Sequence, residues 1–207
     1  MKHKVADSTV RRLSLYLRSL EEFEERGIET VSSELLAHRG GTTSAQVRKD
    51  LSFFGSFGKR GLGYAVPELA ASLRQILGLK RRYAVALIGA GKMGSALVQY
   101  RGFAQRGFDI VAIFDVDPEK VGQTWNGVTI QHTDRLEETL SKLDVDIAIL
   151  VTPAESAPSV ADRLVKLGIK AILNFAPVQL AVPDDVAVKN VNLALELETL
   201  SYALSHR

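Results

Sequence analysis

The chain has no cysteine. That excludes disulfide staples, thiolate zinc sites, iron–sulfur clusters and thiol catalysis. Its four histidines, His3, His38, His132 and His206, show no metal-ligand spacing between any two, so no metal is expected. No apolar run approaches the roughly 18 residues of a membrane span. The opening MKHKVADSTVRR has no apolar stretch after its charges, so no secretion signal is expected and the expected location is cytoplasmic. Internal repeats and low-complexity segments are absent. What remains is ordinary: 207 residues, 46% hydrophobic and 24% charged. That composition belongs to a globular chain of one large or two small domains.

The net charge of +2 conceals an asymmetry. Residues 1–82 hold 15 Lys+Arg against 9 Asp+Glu, and residues 83–207 hold 11 against 15. A basic half joined to an acidic half suggests that the first half meets a polyanion.

The first half reads as short helices and a turn. Ser8 is placed to cap a helix with Val10, Leu13, Leu17, Leu20 and Phe23 on one stripe, ended by Gly27. A second helix spans 33–38 and stops at Gly40 and Gly41. Thr43 opens a third, with Gln46 at capping-box spacing. Its inward face is Val47, Leu51 and Phe54. Its outward face is Gln46, Arg48, Lys49 and Ser52. Gly58, Gly61 and Gly63 around Lys59 and Arg60 read as a glycine-rich hairpin. Pro67 starts a fourth helix that ends at Gly78, and the basic residues 80–82 form a linker.

The second half changes rhythm. Apolar runs at 83–88, 110–114, 147–151 and 171–175 alternate with helical patterns at 92–105, 133–142 and 156–167. A further short strand is expected at 186–191. This alternation predicts a parallel sheet covered on both faces. The chain closes in a helix over 193–204 with Leu193, Leu197, Leu200 and Leu204 on one stripe.

LIGAGKMG is the sharpest motif. Gly89, Gly91 and Gly94 form G-x-G-x-x-G between a strand and a helix. The first glycine permits a tight turn, the second lets a pyrophosphate approach the backbone, and the third lets helix pack on strand. The helix N-terminus supplies free N–H groups for phosphates. Asp115 ends the next strand, 24 residues after Gly91, where a carboxylate accepts ribose hydroxyls and repels a 2′-phosphate. NAD(H) is therefore expected over NADP(H). The alternative is a turn that needs its glycines without binding anything.

Three short helices and a basic turn describe a winged helix-turn-helix. Its third helix would enter the major groove, where Gln and Arg pair with adenine and guanine edges. Arg60 would reach the minor groove. The alternative is a solvated helix face. Tyr100 lies one to two turns into the helix after the glycine loop, which places it either in the core, the reading the pattern favours, or with its hydroxyl near the nicotinamide end; His132 reads as a surface or capping residue. Asp184 and Asp185 read as a turn after Pro183.

Taken together, QVRKDLSFFGSFGKRGLGY, IGAGKMGSALVQYRGF, FDVDPEKVG and ILNFAPVQL resemble the Rex family of bacterial redox-sensing repressors over nearly the whole chain. The resemblance implies an α/β fold: a winged-helix DNA-binding domain over 1–79, a Rossmann-type parallel-sheet domain binding NADH or NAD+ over 80–191, and a C-terminal helix over 192–207 swapped across a homodimer. It implies that NADH releases an inverted-repeat operator and that NAD+ permits binding, with neither turned over. Ser44, Gln46, Arg48, Lys49, Ser52, Lys59 and Arg60 become expected DNA contacts. Gly89, Ala90, Gly91, Lys92, Met93, Gly94, Tyr100, Asp115, Thr152, Pro153, Asn174 and Phe175 become expected dinucleotide contacts, with Tyr100 beside the nicotinamide and Pro177 in the matching NFAP segment. Family members commonly start the last helix with an aspartate that alternates between the tyrosine matched by Tyr100 and the arginine matched by Arg18. Here that position is Asn192, which carries no charge, and Leu193 stands where some members have phenylalanine. No catalytic residue is expected. The alternative function is an NAD-dependent oxidoreductase with a basic accessory domain.

Overall fold

A computed structural model describes residues 5–58 and 61–206. The chain forms two compact units, Met1–Arg81 and Arg82–Arg207.

The N-terminal unit runs α1 (Asp7–Glu25), β1 (Thr30–Val31), α2 (Ser33–Gly40), α3 (Ser44–Ser52), β2 (Tyr64–Ala65) and α4 (Val66–Ile76). Leu13, Tyr16, Leu17, Leu20 and Phe23 of α1 join Leu36, Val47, Leu51, Leu69 and Leu73 in one core. Full burial of each such leucine contributes about 2 kcal/mol. Arg74 of α4 bridges Glu21 and Glu24 of α1 at 3.3 and 2.7 Å.

Three expectations need correction here. The residue before α1 is Ala6, without a side-chain cap, so Ser8 lies inside the first turn. Val10 points outward at 41% exposure. At about 100° per residue, Thr9, Leu13, Tyr16 and Leu20 share one narrow arc and Val10 falls on its rim. The glycine stretch is not a hairpin among the described residues: β2 pairs antiparallel with β1, Val31 opposite Tyr64. Gly58, Gly61 and Gly63 all have positive φ, which curls the chain where a strand would need extended backbone. Lys59 and Arg60 lie outside the described residues.

The C-terminal unit runs β3 (Tyr83–Ile88), α5 (Lys92–Gln99), α6 (Arg101–Gln105), β4 (Phe108–Asp115), β5 (Thr124–Trp125), β6 (Val128–His132), a 3-10 turn (Thr133–Arg135), α7 (Leu136–Leu140), β7 (Ile147–Leu150), α8 (Ala157–Lys166), β8 (Ala171–Asn174), β9 (Ala187–Asn190) and α9 (Leu193–Ser205). The sheet order is β5-β6-β4-β3-β7-β8-β9, and every pairing except β5–β6 is parallel. Apart from edge strand β5, this is the doubly wound dinucleotide-binding order, reversing at β3. Successive side chains serve opposite faces. Ala86, Ile88, Ala112, Phe114, Ala148 and Leu150 build one core; Val85, Leu87, Ile113 and Ile149 build the other.

The helix expected over 92–105 breaks at Tyr100, whose ψ of 99° is extended. The Val98 carbonyl accepts from Asn126 Nδ2 at 2.6 Å. Asn126 and Gly127, at φ 45° and 82°, turn the β5–β6 hairpin. That Asn-Gly pair is a strong hairpin signal that the strand reading passed over. The pattern over 133–142 resolves into the 3-10 turn and the short α7. No residue of α9 is buried within the chain, so its leucine stripe does not pack on the chain's own sheet.

Candidate nucleotide and DNA sites

The six parallel strands deliver their carboxyl ends to one edge of the sheet, and β3, β4, β7 and β8 carry the candidate residues there. Gly89 leaves β3 with φ 107°, and a side chain there would meet the Val151 carbonyl. A Cβ on Gly94 would strike the Gly89 carbonyl. Those two glycines are demanded by the protein itself. Gly91 differs: its φ is an ordinary −76°, and a Cβ would meet nothing within 4 Å. Packing gives no reason for glycine there, whereas a phosphate approaching the backbone does. Gly91 also stands at the N-cap of α5, where no side chain occupies the first-turn N–H groups. An anion fits that end of the helix. Ala90 is buried, and Lys92 and Met93 are exposed beside it.

Asp115 ends β4 and is nearly buried. Its Oδ2 accepts from the Ala90 N–H inside the glycine loop, and its Oδ1 from the Asp117 N–H at 2.8 Å. Lys120 Nζ lies 3.8 Å from Oδ1 and 3.0 Å from Asp117. The hydrogen bond from Lys120, with one from the Glu119 backbone, holds the Asp117 carboxyl below its usual range. Each Asp115 oxygen has one protein donor at hydrogen-bond distance and a second lone pair for a ribose hydroxyl.

Beyond β7, the Oγ1 of Thr152 is buried with no hydrogen-bond partner among the described residues, and Pro153 is exposed. An orphaned hydroxyl is costly unless a ligand or water completes it. Asn174 departs from the expected contact. It is fully buried, with Nδ2 donating to Ala176 O, Val178 O and Asn190 Oδ1 at 3.2, 2.8 and 2.9 Å, and Oδ1 accepting from Ala176 N–H at 3.0 Å. Its amide is consumed in shaping the loop after β8, and half-buried Phe175 packs against the core built by Val85, Leu87 and Ile149.

Tyr100 is not core. It is 59% exposed, and its ring meets Phe103 edge-on at 5.1 Å. The helix break at Tyr100 throws the side chain outward, which a periodicity reading cannot foresee. His132 ends β6, and its Nδ1 accepts from the Asp134 N–H, a capping role. Asp185 pairs with Lys170 at 2.6 Å, in keeping with a turn.

In the N-terminal unit Thr43 caps α3 through the Gln46 N–H at 3.2 Å. Val47 and Leu51 are buried; Arg48, Lys49 and Ser52 are exposed and Ser44 is half-buried. Arg48 Nη1 donates to Ser33 Oγ at 3.0 Å, and Ser52 Oγ to the Lys49 carbonyl at 2.7 Å. Gln46 departs from its expected free outward pose: it is half-buried and donates to Asp50 at 2.8 Å. Sequence reading missed Asp50. Its position three residues after Val47 and one before Leu51 marks the inward face and was the available signal.

Arg18 is exposed and makes no hydrogen bond or ion pair among the described residues. The Asn192 Oδ1 accepts from Ala194 and Leu195 N–H at 3.0 and 3.4 Å, so Asn192 is the N-cap of α9. Among the described residues no group of three His, Cys, Asp or Glu is placed to hold a metal, and no helix is long and apolar enough to cross a membrane.

Known proteins match this architecture. Residues 80–178 match the family described as "CoA binding domain", and residues 4–52 the family described as "Putative DNA-binding protein N-terminus". The "Redox-sensing transcriptional repressor Rex" of Syntrophobacter fumaroxidans is 46% identical over 98% of this chain and 97% of its own length. A crystal structure of RSP in complex with beta-NAD+ and operator DNA superposes with a TM-score of 0.92 at 42% identity, over 97% of this chain and 92% of that one. A structure of RSP in complex with beta-NADH gives 0.88 at 40% identity, over 97% and 94%.

Proposed function

Because the chain belongs to the Rex family of redox-sensing transcriptional repressors, we propose that its two units bind operator DNA and NAD(H) through the residues described above. Membership makes it a regulator and not an enzyme, which removes the oxidoreductase alternative. The chain binds an inverted-repeat operator when NADH is low and releases it as NADH rises. The dinucleotide supplies no reaction here; its redox state is the signal.

The residues divide the work. Backbone N–H groups at Gly91, Lys92 and Met93 receive the pyrophosphate, and Gly89 and Gly94 hold that loop against its neighbours. Asp115 receives the adenosine ribose and disfavours a 2′-phosphate by like charge. Thr152 Oγ1 gains the partner it lacks, and Pro153 and Phe175 line the nicotinamide end with Tyr100. Asn174 positions Phe175. Arg48, Lys49, Ser44 and Ser52 face DNA from α3, and Lys59 and Arg60 are further DNA contacts. Residues 1–79, 80–191 and 192–207 act as the DNA, dinucleotide and dimer segments. The exposed leucine stripe of α9 is the dimerisation surface, and Asn192 caps it, so the charged alternation between Arg18 and Tyr100 is replaced by packing. Operator DNA and the dinucleotide pool both lie in the cytoplasm, where the protein works.

The carrying observation is Gly91, a glycine the protein's own packing does not require. A mobility-shift titration with NADH and NAD+ tests it. NADH releases wild type from the operator. Gly91→Val folds and binds DNA but stays bound at all NADH concentrations; release by NADH in that variant overturns the assignment of the glycine loop.

A further inference from the structure

Asp50 sits on the inner side of α3 with no exposed surface. Arg12 of α1 donates from Nε to Oδ2 at 2.6 Å and from Nη2 to Oδ1 at 2.7 Å. Tyr16 Oη donates to Oδ2 at 3.0 Å, and Gln46 Nε2 to Oδ1 at 2.8 Å. Four donors fill the four lone pairs of one carboxylate. Burial opposes its ionisation, but the hydrogen bonds from Arg12, Gln46 and Tyr16 outweigh that and hold the carboxyl below its usual range. An ionised carboxylate accepts and cannot donate. The end of the Gln46 amide that faces it is therefore the NH2 group, by chemistry and not by choice of assignment. The Gln46 Oε1 has no partner among the described residues, and the side chain is half-exposed on the groove-facing helix.

We propose that Asp50 is a positioning residue for operator readout: it fixes the Gln46 amide with its oxygen offered to DNA. A base that presents an amino group in the major groove, adenine or cytosine, is then selected at the position Gln46 meets. Guanine and thymine present acceptors at the corresponding place and are disfavoured. The inference rests on α3 being the recognition helix and specifies what one of its side chains reads.

The test is selection by the full-length protein from a duplex pool with randomised half-sites in inverted repeat, followed by sequencing. Wild type favours A or C over G or T at one position by roughly five- to tenfold, the worth of one good hydrogen bond. Gln46→Ala flattens that position alone. Asp50→Asn loses or reverses the preference there, because an amide can turn an N–H toward Gln46 and rotate it. Combined with Gln46→Ala it changes that position no further. A merely structural role for Asp50 would weaken all positions together and leave the pattern intact, which overturns the proposal. Should Asp50→Asn fail to fold, the triple variant Asp50→Leu, Arg12→Met, Tyr16→Phe replaces the buried cluster with apolar side chains, leaves no acceptor to hold the Gln46 amide and flattens the same position; an unchanged pattern there also overturns the proposal. If wild type selects no sequence, or Gln46→Ala flattens no position, the recognition-helix reading fails and the proposal fails with it. If Gln46→Ala flattens a position that Asp50→Asn leaves intact, only the positioning role fails.

Discussion

Among the described residues each unit buries one carboxylate side chain, and the two are compensated by different means. In the N-terminal unit Asp50 is closed off by a guanidinium, a phenol and an amide, all side chains. In the C-terminal unit Asp115 is held mainly by two backbone N–H groups, with Lys120 at 3.8 Å. The first spends its whole hydrogen-bonding capacity inside the protein, and the second keeps part of it facing the sheet edge. A saturated carboxylate organises a surface; a partly satisfied one receives a ligand. The same residue type, buried to a similar degree, thus does architectural work in one unit and binding work in the other.

The sharpest way to break this contrast is to remove the counter-charge of Asp50. Arg12→Ala leaves a buried carboxylate without its cation, and such losses cost about 3–5 kcal/mol. The Arg12 side chain is 23% exposed, so water recovers part of that and about 3 kcal/mol is expected. Denaturant unfolding of the full chain measures it. A loss under about 1 kcal/mol would put Asp50 in the same class as an exposed carboxylate.

Asp115→Ala has a smaller effect of a different kind. It removes a charged acceptor from the ribose and frees the Ala90 N–H, so NADH binding weakens roughly tenfold or more. Operator affinity without NADH is unchanged. Calorimetric titration with NADH checks this, and an unaltered Kd would mean that Asp115 is as fully spent as Asp50.

The smallest effect marks the scale of an exposed carboxylate. The hydrogen bonds from Arg163 lower the Glu137 carboxyl to about 2. A lowered carboxylate contributes stability above its unfolded pKa, near 4.3, and loses it as pH falls toward the folded value. Both side chains are about a third or more exposed, so the gain is a few tenths of a kcal/mol. Glu137→Gln should therefore lower stability slightly at pH 7 and match wild type near pH 2. A difference above about 1 kcal/mol at pH 7 would erase the distinction between exposed and buried pairs.

Much of both units was legible in the chain alone. The alternation of strands and helices, the glycine spacing before α5, Asp115 at a strand end and the Thr43 cap all follow from local periodicity and local turn chemistry. Each involves residues a few positions apart, whose geometry neighbouring backbone dictates. The family resemblance, carried by four segments spread along the chain, extended that reading to DNA and dinucleotide.

Tertiary structure decided the rest. Arg12 and Asp50 are 38 residues apart, so no window of sequence shows that Gln46 is tied inward. Tyr100 faces out because α5 breaks where Asn126, 28 residues beyond Val98, takes its carbonyl. Gly91 is distinguished from Gly89 and Gly94 only by what surrounds each, and Asn174 proved to be spent on its own loop. Sequence determined which residues could accept, donate or turn. Packing between distant segments determined which of those capacities remain for a ligand, because a hydrogen bond satisfied inside the fold is no longer available outside it.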